Sequence, residues 1–127
     1  MSGAEVALLV CLAGGLGAGL RFVLDGLIRS KTSPSYPVAT TVINLTGSLL
    51  LGLLTGLAST LMISQTVQLI LGTGLLGGYT TFSTASYETV QLLENRRYLA
   101  AALYGFGTLI AAILTAALGY GLASTLT

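Results

Sequence analysis

Long apolar stretches alternate with short polar segments along this chain, and the stretches have the length of membrane-spanning helices. A helix needs about 20 apolar residues to cross the hydrocarbon core of a bilayer. Four stretches reach that length, at residues 5–28, 38–61, 66–93 and 98–124. The pattern therefore predicts an all-α membrane protein, with the whole chain, residues 1–127, forming one domain of four transmembrane helices.

The third stretch is interrupted by two glycines and a segment rich in hydroxyl side chains. The interruption runs Gly77-Gly78-Tyr79-Thr80-Thr81-Phe82-Ser83-Thr84. A broken backbone in lipid leaves amide and carbonyl groups without partners, and each such group costs several kcal/mol. The break is tolerated where protein covers it or where it borders a polar path, and such breaks mark ion or substrate sites in transporters. We expect a third helix broken at mid-membrane depth, with a transport site beside it.

Composition agrees with a membrane location and excludes several classes of function. Of the 127 residues, 54% are hydrophobic and 7% are charged, whereas a soluble domain carries about 25% charged residues. There is no histidine, and Cys11 lies in an apolar run as a packing residue. No catalytic triad, zinc site or disulfide framework can be built from this inventory, so we expect no enzymatic activity. A net charge of +1 gives no indication of nucleic-acid binding.

Basic residues are distributed unequally between the connections. The linker at residues 29–37 and the turn at residues 94–97 hold Arg29, Lys31, Arg96 and Arg97, and the turn near residues 63–65 holds no basic residue. The positive-inside rule places the basic connections in the cytoplasm and both termini outside. The N-terminus lacks the positive region of a signal peptide, so we expect the first span to be retained in a multi-pass protein of the plasma membrane.

Polar side chains form a stripe on the second predicted helix and another on the fourth. The stripe on the second helix consists of Thr41, Asn44, Ser48, Gly52 and Thr55. The stripe on the fourth consists of Tyr104, Thr108, Thr115 and Gly119. Asn44 has two interpretations: an interhelical hydrogen bond, worth about 0.6 kcal/mol on average, or one position on the face of a pore. Hydroxyls without carboxylates suit a small hydrogen-bond acceptor better than a cation.

Two charged residues, one aromatic residue and the glycines add further expectations. Arg21 is four residues from Asp25, so it either pairs locally or extends to the interface. Glu88 either accepts from the hydroxyls of Thr81 and Thr84 or marks the interface. The Phe82 ring edge carries partial positive charge and can face an anion. Gly15-x-x-x-Gly19 and Gly52-x-x-x-Gly56 fit the motif for close helix packing.

Together these residues resemble the Fluc (CrcB) family of fluoride channels along nearly the whole chain. The motifs are Gly17-Ala18-Gly19-Leu20-Arg21, Thr41-Val42-Ile43-Asn44-Leu45-Thr46-Gly47 and Gly77-Gly78-x-Thr80-Thr81-Phe82-Ser83-Thr84-x-Ser86-x-Glu88. The resemblance implies a fluoride-selective channel that exports cytoplasmic fluoride passively. It also implies an antiparallel dimer of four-helix subunits with two fluoride pathways and a structural Na⁺ at the dimer centre.

The resemblance assigns roles residue by residue. The backbone carbonyls of Gly77 and Thr80 would bind Na⁺, Asn44 would donate to fluoride, and Phe82 would present its ring edge. Arg21 would attract anions in the vestibule. The remaining pathway positions would be Ser48, Ser83, Thr84, Tyr104 and Thr108.

The sequence departs from the family pattern at two positions, because Ala85 replaces a second phenylalanine and Ala112 replaces a hydroxyl. Ala85 has two explanations. The chain is either a homodimeric channel with an altered pore, or one subunit of a heterodimer in which its own path does not conduct. The unequal distribution of basic residues favours a fixed orientation, and both the homodimer and the heterodimer stay open.

Two other functions fit a small membrane protein of this length. A proton-coupled multidrug exporter of the small multidrug resistance type needs a mid-membrane carboxylate in the first helix, and the sequence has none there. A non-transporting membrane scaffold would use the glycine motifs alone, without the helix break or the hydroxyl stripes.

Overall fold

A computed structural model describes all 127 residues, and its regular structure is entirely helical. The helices are α1 (Gly3–Arg29), α2 (Val38–Ser59), α3 (Gln65–Gln68), a π-helix (Leu69–Leu76), α4 (Gly77–Tyr79), α5 (Phe82–Glu94) and α6 (Tyr98–Thr125). Three of them, α1, α2 and α6, are long and apolar enough to cross a membrane. The stretch predicted as the third span is divided into shorter helical segments, so its α-helices are all shorter than a membrane-spanning helix.

Local signals in the sequence set where these helices begin. Ser2 and Glu5 form a capping box at the start of α1, in which each side chain bonds the other residue's backbone N–H. Ser64 caps α3 by accepting a hydrogen bond from the Val67 N–H. Hydroxyl side chains of this kind satisfy the free amides of a first helical turn. The chain reverses before α3 and before α6 through Leu61 and Arg96, which both have positive φ.

Helix pairs approach closely where glycines meet a neighbouring backbone. Helix α2 packs along α6, and α1 packs on the π-helix and α4. A methyl group on Gly52 would collide with the Ala116 carbonyl of α6. One on Gly17 would collide with the Leu75 carbonyl of the π-helix. Absent side chains at these positions allow the backbones to come within contact distance.

The packing motif expected in the first helix lies on a different face from the one predicted. Nothing lies within 4 Å of a methyl group built on Gly15 or Gly19. Gly17 makes the close approach instead, because it lies on the face of α1 that meets the π-helix. Gly52 and Gly56 of the second motif both face α6, as the sequence suggested.

Candidate functional site

Two residues in extended conformation separate α4 from α5. Helix α4 ends at Tyr79, and Thr80 and Thr81 have ψ angles of 161° and 121° before α5 begins at Phe82. The Thr81 hydroxyl accepts a hydrogen bond from the Thr84 N–H at 3.1 Å. Thr81 is therefore the N-cap of α5, which explains why the helix restarts at Phe82.

Asn44 of α2 supplies the hydrogen bonds that this extended backbone would otherwise lack. Its Nδ2 donates to the Thr81 carbonyl at 2.8 Å, and its Oδ1 accepts from the Thr81 N–H at 2.8 Å. Asn44 thus makes the interhelical contact that was one of its two interpretations. An amide nitrogen carries two hydrogens, so one N–H of Asn44 stays available for a ligand.

The interruption also frees backbone carbonyls. A continuous helix would direct the N–H groups of Thr81 and Thr84 to the carbonyls of Gly77 and Thr80. Here the Thr81 N–H donates to Asn44 and the Thr84 N–H donates to the Thr81 hydroxyl. The carbonyls of Gly77 and Thr80 therefore accept no hydrogen bond from the chain. Neutral carbonyl oxygens are suitable ligands for a hard cation, so Gly77 and Thr80 fit the predicted Na⁺ role. No group of acidic, histidine or cysteine side chains could hold a metal ion.

An open groove of about 810 Å³ runs beside the interruption. It is lined by most of the residues singled out in the sequence, namely Asn44, Ser48, Gly77, Thr80, Phe82, Tyr104 and Thr108. The residues along it include hydroxyls, an amide and apolar side chains, but none with a formal charge. Phe82 is 87% exposed, so its ring is free to contact a ligand or another subunit.

The other predicted site residues lie outside this groove. Arg21 and Thr84 line a separate cavity of about 210 Å³, together with Asp25 and Thr40. The Arg21 Nε donates to the Gly78 carbonyl at 3.3 Å, which holds the guanidinium against the helix interruption. Ser83 is exposed and lines neither cavity.

Glu88 is buried at the meeting point of four helices, with partners different from those expected. Its Oε1 accepts from the hydroxyls of Thr40 at 2.5 Å and Tyr104 at 3.3 Å, and Arg29 donates to its Oε2 at 3.1 Å. The expected bonds from Thr81 and Thr84 are absent because those hydroxyls lie one turn earlier and face each other.

The pair between Arg21 and Asp25, one of the two possibilities for Arg21, does not form. Asp25 binds Arg29 at 2.8 Å instead, because Arg21 is directed toward the Gly78 carbonyl. Both Arg29 and Asp25 lie near the end of α1, so their pair and the Arg29–Glu88 pair tie this end of α1 to α5.

Three hydroxyl residues of the groove were not assigned a role from the sequence. Thr73 lies on the π-helix and Ser86 and Thr89 on α5, and all of them line the groove. Thr73 had a signal, because it is the one hydroxyl residue between Leu69 and Leu76 and has glycine on both sides. Ser86 had one as well, because it stands in the third family motif.

The sequence profile of one family covers most of the chain. The profile of CrcB-like proteins, described as Camphor Resistance (CrcB), matches residues 8–120. This chain belongs to the CrcB family.

Relatives within the CrcB family carry consistent names. A protein of Leifsonia xyli is 54% identical over 114 residues, which cover 90% of this chain and 83% of the relative. It is named "Fluoride-specific ion channel FluC 1". The "Fluoride-specific ion channel FluC 2" of Cutibacterium acnes is 51% identical over 91% of this chain and 94% of its own length. A "Fluoride-specific ion channel FluC" of Thermus thermophilus is 41% identical over 98% of both chains.

The two positions that depart from the CrcB pattern both face the groove. Ala85 lines it and packs beside the buried cluster of Leu92, Ala101 and Tyr104. Ala112 lines it with a methyl group, and its carbonyl accepts from the Thr115 hydroxyl at 3.0 Å. The small side chain of Ala85 leaves room in the groove that a phenylalanine would fill.

Proposed function

We propose that this chain is a subunit of a fluoride-selective channel that exports cytoplasmic fluoride passively. The observation that carries the proposal is the uncharged groove that gathers Asn44, Ser48, Phe82, Tyr104 and Thr108. The names of the CrcB relatives support the identity of the ion.

The chemistry of the groove suits a small anion that accepts strong hydrogen bonds. Hydroxyl and amide hydrogens replace part of the hydration shell, and a phenylalanine edge adds a weak positive field. A neutral lining holds the ion without trapping it, as conduction requires. The driving force is the membrane potential, about 2.3 kcal/mol per charge for each 100 mV. Hydrofluoric acid enters cells as a neutral molecule and dissociates inside, so the trapped anion needs an exit.

A single subunit leaves the groove open, and the proposal includes a second subunit that closes it. We place four spans in each subunit, with the third broken at the membrane midplane, and two subunits in antiparallel arrangement with two pathways. The partner is either a second copy of this chain or a related subunit. The unequal basic residues favour a fixed orientation, and Ala85 fits either partner. With a related subunit, this chain's own path contributes little to conduction.

The dimer centre is the proposed position of a structural Na⁺. The carbonyls of Gly77 and Thr80 would hold it, because both lack hydrogen-bond donors from their own chain. When bound, the ion supplies positive charge that joins carbonyls of two helices. The chain's part is to keep these carbonyls free, through Asn44 and the Thr81 cap.

Flux measurements in proteoliposomes test the channel function. Purified protein is reconstituted in liposomes of bacterial polar lipid loaded with potassium fluoride, and external fluoride is followed with an electrode after valinomycin addition. We expect fluoride release and no chloride release from matched vesicles. Proton-driven uptake of a cationic drug would indicate an exporter, and the absence of any flux would indicate a scaffold or a non-conducting partner subunit.

Cross-linking followed by mass analysis of the complex from native membranes identifies the partner. A mass of twice this chain supports the homodimer, and a second polypeptide supports the heterodimer. Replacing Ala85→Phe adds a matching functional test. It raises fluoride flux if this chain forms a weakened homodimeric pore and has little effect if its path does not conduct.

A further inference from the structure

Hydroxyl side chains in this chain fall into two groups according to their hydrogen bonds. Many serine and threonine side chains in the helices donate to a carbonyl one turn earlier, as Thr46, Thr55 and Thr115 do. This internal bond is the usual solution for a hydroxyl in a membrane helix. Four hydroxyls that make no such bond, and no other bond within the chain, line the groove: Ser48, Thr73, Ser86 and Thr108. None of them is fully enclosed, so each is accessible from the groove.

Thr73 differs in its hydrogen bonding from two other threonines along the same groove. Thr80 and Thr89 also line the groove, but they donate to the carbonyls of Leu76 at 2.9 Å and Ala85 at 2.8 Å. Thr73 belongs to the π-helix, where the backbone turn is wider than in an α-helix, and its hydroxyl makes no bond to a carbonyl one turn earlier. It shares this free hydroxyl with Ser48, Ser86 and Thr108, which lie on α-helices.

Glycines on both sides fix the position of Thr73. A methyl group on Gly74 would come within 2.9 Å of the Val10 carbonyl of α1. One on Gly72 would come within 3.3 Å of the Leu51 side chain of α2. Both glycines are buried against other helices, whereas Thr73 between them is exposed and lines the groove.

Helix α6 offers few free donors to the groove. Tyr104, Thr108 and Ala112 follow one face of α6 in steps of four residues, and all three line the groove. The Tyr104 hydroxyl is bonded to Glu88, Thr108 is free, and Ala112 offers only a methyl group. Thr73 lines the same groove from the π-helix and has a free hydroxyl.

We propose that Thr73 is a pathway residue that donates a hydrogen bond to fluoride in this groove, in addition to the donors Ser48 and Thr108. This inference rests on the proposed channel function. The Thr73 side chain is exposed in the groove and has no partner within the chain, and a hydrogen bond to an anion is stronger than one to a neutral group such as water. A fluoride ion in the groove is therefore the partner that stabilises this free hydroxyl most.

The test compares fluoride efflux from proteoliposomes for the wild type, Thr73→Val, Thr73→Ser and Thr66→Val. Valine keeps the shape of threonine and removes the donor, and serine keeps the donor. Thr66 is the control because its hydroxyl also makes no hydrogen bond but lies outside the groove. We expect Thr73→Val to lower efflux about tenfold or more, as for the loss of one hydrogen bond to an ion. Thr73→Ser and Thr66→Val should remain within about twofold of the wild type.

The possible outcomes distinguish the role of Thr73 from the channel function on which that role depends. A wild type that releases no fluoride shows that this chain forms no conducting path of its own, and it overturns the role of Thr73 as well. A conducting wild type and an equally conducting Thr73→Val overturn the role of Thr73 alone. Gel filtration in detergent measures the dimer fraction of each variant. If Thr73→Val lowers efflux and the dimer fraction by the same factor, Thr73 has a packing role and the proposal is overturned. If Thr73→Val does not assemble, Thr73→Ala and Thr73→Ser are compared, and equal fluxes from those two overturn the proposal.

Discussion

Asn44 holds the backbone of Thr81 by two hydrogen bonds of 2.8 Å each, one donated and one accepted by its amide. One side chain on α2 thereby replaces the helical partners that Thr81 loses where α4 and α5 separate. The same arrangement leaves the Gly77 carbonyl without its usual donor. Asn44 is therefore both an interhelical contact and a condition for the free carbonyl at this interruption.

Replacing Asn44→Leu should abolish fluoride flux and lower stability together. The substitution leaves the N–H and C=O of Thr81 unpaired, at a cost of about 1 to 3 kcal/mol for each group. Efflux from proteoliposomes and thermal unfolding in detergent measure the two effects. Thr46→Val is the control, since that hydroxyl bonds its own helix and Tyr79 outside the groove. A stable Asn44→Leu protein with normal flux would show that the Thr81 backbone does not need this partner.

Replacing Glu88→Leu should destabilise the fold by about 2 to 4 kcal/mol, because the hydroxyls of Tyr104 and Thr40 lose their buried acceptor. Arg29 keeps its bond to Asp25, so its charge is not left unpaired and the loss of stability is smaller than it would otherwise be. Unfolding in detergent measures the difference from the wild type.

The matched control for Glu88 is Glu94→Leu, which removes an exposed carboxylate at the end of α5. We expect its effect to stay within about 0.5 kcal/mol, as for most surface substitutions. Equal losses from the two variants would contradict the structural role of the Glu88 cluster.

Replacing Gly17→Ala should destabilise the subunit by about 3 kcal/mol, since a new methyl group collides with backbone atoms of the π-helix that cannot move aside easily. Gly19→Ala, two residues later, meets no atom within 4 Å. That substitution should leave the stability of the subunit unchanged or raise it by about 0.5 to 1 kcal/mol, because alanine has a higher helix propensity than glycine. Expression level and detergent unfolding give the comparison. Strong destabilisation by Gly19→Ala would mean that this face of α1 contacts a second subunit.

Removing Na⁺ should weaken the dimer and reduce fluoride flux, if the carbonyls of Gly77 and Thr80 hold the ion as proposed. Without a cation, four carbonyl oxygens of the two subunits would face one another unpaired. Protein is purified and assayed in choline chloride and compared with protein in sodium chloride. The dimer fraction on gel filtration and the fluoride efflux are measured in both, and readdition of Na⁺ is the control. Identical behaviour in the two salts would argue against the ion.

The sequence by itself determined the helical class, the membrane location and the place where the third stretch is interrupted. These features follow from local information: the length of apolar runs, the scarcity of charge, and glycines followed by hydroxyl residues. Spacing along α2 and along α6 likewise predicted one polar face on each helix. Asn44, Ser48, Tyr104 and Thr108 of these faces line one groove, whereas Thr41, Thr55, Thr115 and Gly119 lie outside it. Periodicity identifies a face because every residue on a helix has a fixed angle relative to its neighbours.

Only the tertiary structure decided which partner each polar group takes. Arg21 had Asp25 within reach along its own helix but bonds the Gly78 carbonyl, and Asp25 pairs with Arg29. Glu88 has partners from α1, α2 and α6 that are 59, 48 and 16 residues away in sequence. Such choices depend on the relative position of helices, which is set by glycine contacts such as that between Gly17 and Leu75 and not by the spacing within one helix.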